Sequence, residues 1–499
     1  MLPLLELLWS LRHTHRQTDF ENQQKKPHQS PALQDEEQSD LNRVEPPSVE
    51  RFLPCPDRSL LNECANGLGK QLPEQSIECS DYALFGRWLT EWVGDTWGQV
   101  VEIPNRPDVE DWETDFDHLH NDYSADPYSI WKDMREGGCP VAHTERFHGV
   151  YLPTRHEDIS AIAHDTEHFS SKAVVINDLP AADIGTFRMP PITSDPPDHQ
   201  DHRRALLPAF SPKAIEKWVP ITRGICNELL DQFADNGYCD ASADYAQHIP
   251  VKVIARMIGI PEEDGDLFRQ WIHDLLEVGP SDLNISQQVT SEVFAYFGEY
   301  LKERRAAPGD DIVTYLIETE VDGAPMDDRQ ILGGLFLLLF AGIDTTWSSI
   351  GSSLLHLGQN AGDRMRLATD DSAFDAAVEE FLRFYSPVTM SRVITEEVEI
   401  SGTTLCPGER ILLPFPSANR DTEFMEDAET FKIDREVNRH SAFGLGIHRC
   451  LGSNLARMEI KVALEEWVRR IPEFELTDPN LVSWSGGQVR GPRNIPLRW

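Results

Sequence analysis

The stretch Phe443-Gly444-Leu445-Gly446-Ile447-His448-Arg449-Cys450-Leu451-Gly452 decides how the rest of the chain is read. Gly444, Gly446 and Gly452 surround a single cysteine, a density that excludes the interior of a helix or strand and marks a loop. Such a loop lets backbone approach a flat ligand closely and leaves N–H groups able to point at a thiolate. A lone cysteine is most often a small buried apolar residue. The spacing Phe-Gly-x-Gly-x-His-x-Cys-x-Gly makes that the weaker reading here.

Two stretches upstream carry the next signals. Ile331 to Ile343 is an uncharged run through Leu335, Phe336, Leu337, Leu338, Leu339 and Phe340, ended by Asp344. A bilayer span needs roughly 20 apolar residues. A shorter run, apolar on every side, reads as a helix through the centre of a large protein. Its tail, Ala341-Gly342-Ile343-Asp344-Thr345-Thr346, is odd there, because Gly costs helix stability and Asp costs desolvation. Glu380-Phe381-Leu382-Arg383 sets an acid and a base at i, i+3, on one helix face where they can pair. Alone, such a pair usually decorates a solvated surface.

Together these stretches resemble the haem loop, the distal helix and the Glu-x-x-Arg helix of the cytochrome P450 monooxygenases, in their soluble bacterial form. The resemblance runs from Asp126-Pro127-Tyr128 to Trp499. It implies a mainly α fold, a large helical domain with a smaller β-rich lobe, over 126–499. Residues 1–125 are then an extension, partly disordered. The resemblance also implies haem b, with the Cys450 thiolate as axial ligand of the iron and a push of electron density that favours O–O cleavage. Phe443, Gly444, Gly452 and Ala341 border the haem in this reading. Thr345 hydrogen-bonds the bound oxygen and Asp344 relays protons to it. Glu380 and Arg383 are structural, tying their helix to the loop before the cysteine.

Haem propionates need cationic partners when buried. His199 and Arg203, at i, i+4 on one helix face, and Arg392 and His448 stand at family-matching positions. One departure concerns the Glu-x-x-Arg network. The family often has an Arg before the Phe of that loop, whereas Thr430 precedes Phe431 here, leaving Arg435 or Arg439 to supply the cation.

Composition narrows the class. Acidic residues number 84 against 45 basic ones, a net charge of −39. That excludes nucleic-acid binding by bulk charge and disfavours docking on an anionic membrane. The 8 cysteines form no Cys-x-x-Cys pair and no regular disulfide framework, which fits a reduced, cytoplasmic protein. The apolar stretch Met1 to Trp9 is interrupted by Glu6 and follows no basic segment, so neither a membrane span nor a signal peptide is expected. His13 to Glu50 is polar and reads as disordered, and Tyr82 to Trp97 is a helical candidate.

Within the domain, a strand is expected at Gly149–Leu152, then a helix from Arg155 to a turn at Phe169-Ser170-Ser171. Helical periodicity returns at Arg203–Phe210 and Ile221–Phe233. Val398–Ser401 and Arg410–Pro414 read as a hairpin about Pro407-Gly408. A substrate pocket is expected from Val174–Thr193, Trp271–Leu283, Ala341, Val388–Met390 and the turn at Gly486-Gly487, apolar and small enough in character for a small, largely apolar molecule. Arg439, Arg449, Arg457 and Lys461 against Glu459 alone give a local balance of +3 around the cysteine. Such an inversion suits an acidic electron donor. A separate ferredoxin, or a flavodoxin, fed by an NAD(P)H reductase is the expected partner. The implied activity is O2-dependent hydroxylation. Two other classes stand beside it. One is a haem-thiolate enzyme using peroxide or rearranging its substrate, against which the Asp344-Thr345 pair argues. The other is a haem sensor without turnover, against which the basic patch argues.

Overall fold

A computed structural model describes residues 108–179, 188–321 and 323–499, all within one unit of the chain. The candidates at His13–Glu50 and Tyr82–Trp97 lie outside the described residues. Helices dominate, and among the described residues short strands gather into one five-stranded sheet, one three-stranded sheet and three pairs. The helices that build the site are α1 (His156–His164), α2 (Asp198–Leu206), α3 (Trp218–Phe233) and α4 (His248–Ile258). They are joined by α5 (Asp328–Gly342), α6 (Asp344–Gln359), α7 (Phe374–Phe384) and α8 (Ser453–Arg470).

The larger sheet contains β1 (Val141–Thr144), β2 (Val150–Pro153), β3 (Phe169–Ser170), β4 (Thr389–Ile394) and β5 (Arg410–Pro414). Their order is β1-β2-β5-β4-β3, with β5 parallel to β2 and antiparallel to β4. The expected hairpin is thus corrected. Val398–Ile400 pairs instead with Thr403–Leu405, across Ser401 and Gly402, whose φ angles of 48° and 84° suit a tight two-residue turn. Arg410–Pro414 is buried at every position, which marks a strand covered on both faces rather than the exposed arm of a hairpin. The Phe169-Ser170 turn is likewise an edge strand, paired with β4.

Residues 108–125, expected to belong to the extension, pack into the fold. Phe116 and Tyr123 are buried, and the Trp131 indole donates to the Tyr123 hydroxyl at 3.0 Å. Arg146 pairs with Asp115 and Asp117, at 2.5 and 2.9 Å. Arg490 near the C-terminus donates to the Ser124 carbonyl at 2.6 Å.

The apolar run forms α5 as its composition dictates. A capping box starts it: the Gln330 N–H donates to the Asp327 carboxylate at 2.8 Å, and the Gln330 side chain accepts from the Asp327 N–H at 3.0 Å. Ile331 through Leu339 are all buried. The helical path breaks at Ile343, φ −91° and ψ −66°, and resumes as α6. Gly342 sits at the break, where a Cβ would come within 2.9 Å of Ile254 on α4. Its lack of a side chain is what lets α4 and α5 meet there. The combined α5–α6 rod is long and apolar enough to cross a bilayer, but 78% of its apolar window is buried inside the protein, as befits a core helix.

Candidate active site

The cysteine loop is shaped by two glycines in the left-handed region. Gly444 has φ +71° and Gly446 φ +66°. A Cβ on Gly446 would collide with the Ala163 carbonyl at the end of α1, so the loop seats directly on that helix. The Cys450 N–H donates to the Phe443 carbonyl at 2.7 Å, closing the loop on itself. Arg457 of α8 lies 4.4 Å over the Phe443 ring.

Cys450 borders a cavity, and its sulfur is exposed only in that sense, being otherwise enclosed by protein. Burial pushes its thiol up, while a Gly452 N–H and the charges of Arg203, Arg449 and Arg457 pull the other way. Burial wins that balance, and the hydrogen-bond donor and three cations offset only part of it.

One cavity gathers most of the residues singled out from the sequence. Cys450, Phe443, Gly444, Gly452, Ala341, Thr345, Arg203, Arg392 and His448 all line it. The remaining wall is apolar, with Ile192, Ile254, Leu337, Phe340, Val388 and Val489 among its members. Segments expected at the pocket contribute through Pro191 and Ile192, Ala341, Val388 and Met390, and Gln488 and Val489 just past Gly486-Gly487. The segment Trp271–Leu283 is a correction: among the described residues none of it lines the cavity, because Ile254 of α4 takes that place. Ile254 was missed; its signal was the strongly amphipathic run His248–Ile258, which carried no motif.

Asp344 and His199 sit behind the wall rather than on it. The Thr345 hydroxyl donates to the Ala341 carbonyl at 2.8 Å, one turn back. Asp344 is 1% exposed and accepts from Arg493 Nη2 at 2.6 Å through Oδ1. Its Oδ2 has no hydrogen-bond partner among the described residues. Arg493 also holds Glu277 at 2.6 Å and lies 4.0 Å over the Trp347 ring. Burial pushes the Asp344 carboxyl up to about 6; Arg493 opposes that rise and Glu277 adds to it.

At the other end of the cavity the four expected anion partners lie close together, but they do not share one charge state. The guanidinium of Arg392 is 5% exposed and donates to the Ser391 carbonyl at 2.7 Å. Burial lowers it to about 10, against the pull of Asp195, so it stays charged at neutral pH. Arg203 donates to the Arg449 carbonyl at 2.6 Å. His448 is pushed down to about 2 by burial and by Arg392, His199 and Arg203, and burial with Arg203 also lowers His199. The two arginines are the cations of this group, while burial and their charge lower both histidines. Ser171 Oγ lies 2.9 Å from His448 Nε2, and the His199 and His448 rings meet edge-on at 4.4 Å. Neither nitrogen of His199 has a hydrogen-bond partner of ordinary geometry among the described residues. A buried guanidinium and a half-buried one, in no ion pair among the described residues and beside a buried imidazole, fit a group that brings anionic oxygens. The cysteine loop and apolar walls fit its flat apolar body. The donor set and cradle therefore suit haem.

Glu380 and Arg383 on α7 are both fully buried and paired through two hydrogen bonds of 2.7 Å. Arg383 also donates to the carbonyls of Asn419, Ala428 and Thr430. Arg435 resolves the missing cation, its Nε donating to Glu380 Oε2 at 3.0 Å. Burial raises the Glu380 carboxyl, but Arg383, the Lys432 N–H and Arg435 outweigh it and hold the group below the usual range.

Comparison with known proteins agrees with this geometry. A family profile described as Cytochrome P450 matches residues 372–482. The polyketide biosynthesis cytochrome P450 PksS of Bacillus subtilis is 31% identical over 76% of this chain and 98% of its own. Its solved structure superposes with a TM-score of 0.71 at 30% identity, covering 77% of this chain and 99% of that one. The mycinamicin IV hydroxylase/epoxidase of Micromonospora griseorubida is 31% identical over 72% of this chain and 92% of its own. CYP109E1 of Bacillus megaterium, solved with testosterone, gives a TM-score of 0.69 at 31% identity, over 76% of this chain and 99% of that one. Sequence, fold and the clustering of loop, helix and Glu-x-x-Arg residues lead to one assignment: the chain belongs to the cytochrome P450 superfamily and is an oxygenase of it.

Proposed function

We propose that this protein is a haem-thiolate monooxygenase that hydroxylates a small, largely apolar organic molecule with O2. Cys450 is the axial thiolate ligand of haem b, and electrons come from NAD(P)H through a separate ferredoxin, or a flavodoxin, and its reductase. The observation that carries the reading is a single cavity whose wall holds both Cys450 and Thr345 between apolar side chains. Haem, when bound, supplies the activation of oxygen at its iron.

The chain's own residues do the rest. Burial raises the Cys450 thiol, and the Gly452 N–H and the three arginines around it offset part of the cost of ionising its sulfur. Arg392, Arg203 and His448 line the cavity and would hold the anionic edge of the cofactor, with His199 packed edge-on behind His448. The Thr345 hydroxyl donates a hydrogen bond to the Ala341 carbonyl and turns towards the cavity when a better acceptor arrives. Asp344, poised near pH 6, takes a proton from water and passes it inward through Thr345. The apolar walls exclude bulk water and receive a ligand by its apolar surface. Relatives named for mycinamicin and solved with testosterone support an apolar substrate class.

The partner reading rests on a smaller set of charges than the local count suggested. Arg457 is held by Glu379, Lys461 by Asp375, and Glu459 is buried with its carboxyl raised well above the ordinary range. Arg439 and Arg449 are exposed and enter no ion pair among the described residues. They are the cations offered to an acidic electron donor. The described cysteines are all free, in keeping with a cytoplasmic setting.

The test is the absorption spectrum of the reduced protein with carbon monoxide. A strongly red-shifted Soret band, lost in Cys450→Ala, is expected. A histidine-type spectrum unchanged by that substitution refutes the reading.

A further inference from the structure

Resting on the monooxygenase reading, we propose that Glu379 sets how readily the bound haem takes an electron, by neutralising the Arg457 guanidinium that lies over Phe443 at the head of the cysteine loop. Three cations surround Cys450: Arg203, Arg449 and Arg457. Among the described residues, Arg457 alone of the three is paired with a carboxylate. Its Nε and Nη2 donate to Glu379 Oε1 and Oε2 at 2.5 and 2.8 Å, a two-pronged contact that fixes the guanidinium in plane and position. His440 Nε2 lies 2.9 Å from Glu379 Oε2, and its Nδ1 accepts from the Ala442 N–H at 3.2 Å. An accepting Nδ1 places the ring hydrogen on Nε2, so His440 is a second donor to the carboxylate. Burial raises the Glu379 carboxyl, but Arg457 and His440 outweigh it and hold the group down at about 2. At neutral pH the carboxylate is therefore ionised and opposes Arg457 with a full charge.

Both donors meet the start of the loop. The Arg457 guanidinium lies 4.4 Å over the Phe443 ring, and the His440 ring centre is 6.0 Å from that ring. The Phe443 carbonyl in turn accepts from the Cys450 N–H at 2.7 Å. Glu379 stands on α7 and Arg457 on α8, so their contact joins two helices at this loop. Successive side chains on a helix point about 100° apart. Glu379 can thus serve the cysteine loop while Glu380 serves Arg383 and Arg435. A positive charge near a thiolate-bound iron favours the form with one more electron, and a carboxylate bonded to that charge cancels most of its effect. Both side chains of the pair are partly exposed, so solvent keeps the effect moderate. Glu379 is a positioning residue in this role: it acts through Arg457 and touches no substrate.

Redox titration of the substrate-free, haem-loaded protein, followed by absorption, tests the inference without turnover or an electron donor. Glu379→Gln keeps the shape and an acceptor for Arg457 but removes the charge. It is expected to favour the reduced form about three- to tenfold, an upward shift of about 30 to 60 mV at about 59 mV per tenfold change. Arg457→Met strips the cation, leaves the carboxylate, and is expected to shift the potential downward by a similar amount. Arg457→Lys keeps the charge without the fork and is expected to stay closer to the wild type than Arg457→Met. A loosened loop moves Glu379→Gln and Arg457→Met the same way, whereas a charge effect moves them apart. Each of these two decides a sign alone, so loss of haem in one leaves the other as the test. In protein with the thiolate spectrum under carbon monoxide, three results each overturn the inference: a potential unchanged or lowered in Glu379→Gln, one unchanged or raised in Arg457→Met, or equal values for Arg457→Lys and Arg457→Met. A wild-type protein without that spectrum refutes the monooxygenase reading itself, and the role of Glu379 falls with it.

Discussion

Replacing Arg493 by methionine exposes the proton route at its one charged contact. Arg493 holds Asp344 at 2.6 Å, and Glu277, His273 and Ser348 complete the polar surroundings of that carboxylate. Burial has already lifted Asp344 to about 6 with Arg493 in place. An adjacent opposite charge lowers a carboxyl by roughly 1 to 3 units, so its loss carries Asp344 to about 7 to 9. The folded value lies above the unfolded one of about 3.9, so the fold favours the protonated form. Stability therefore falls as pH rises through that window. In the wild type a rise of about two units costs about 3 kcal/mol, complete by roughly pH 6 to 7. In Arg493→Met the loss continues to roughly pH 7 to 9. The stability difference between the two proteins thus grows by up to about 1.4 kcal/mol per pH unit above pH 6.

Function follows the same shift. Only the ionised carboxylate takes a proton from water. At pH 7 a group with its pKa at 6 is about 90% ionised, and one at 8 is about 10%. Turnover in the variant should drop close to ninefold at pH 7, with the acid limb of its profile moved upward by one to three units. The assays are product formed per NAD(P)H consumed, and thermal unfolding, each from pH 5.5 to 9. A folded, substrate-binding variant whose stability difference is flat across that range, and whose acid limb coincides with the wild type, refutes the reasoning.

Two further substitutions probe the frame and the partner face. Glu380→Gln leaves the fully buried Arg383 and the nearby Arg435 without their carboxylate, and should cost about 3 to 5 kcal/mol, read as a fall in urea midpoint. Arg435→Leu should cost clearly less, because the Glu380–Arg383 pair survives. Arg449→Glu reverses an exposed charge beside the cysteine loop. Reduction by a ferredoxin in stopped flow should slow several-fold at low salt and converge with the wild type near about 0.5 M salt, where steering is screened. An unchanged rate at low salt removes Arg449 from the docking face.

The glycine-framed Cys450, the uncharged run before Asp344 and the Glu380–Arg383 spacing were legible in the sequence because each is local. Glycine positions fix backbone freedom, an all-apolar helix must be buried, and residues at i, i+3 must share a face. Those same stretches carried the resemblance that named the fold family, and most of the site residues it implied line one cavity. What stayed hidden depends on partners far apart in the chain. Arg410–Pro414 joined β4 rather than the nearer Val398–Ile400, because a strand buried at every position suits the centre of a sheet and Ser401-Gly402 closes a shorter hairpin. Arg435 rather than Arg439 reached Glu380, and Arg493 reached Asp344 across 149 positions. The charge states of His199 and His448 were equally invisible, since burial and neighbouring arginines set them and neither is written in a residue's own identity. Sequence determined which chemical groups this protein carries; tertiary packing alone decided which are charged and which are paired, because both depend on burial and on neighbours distant in the chain.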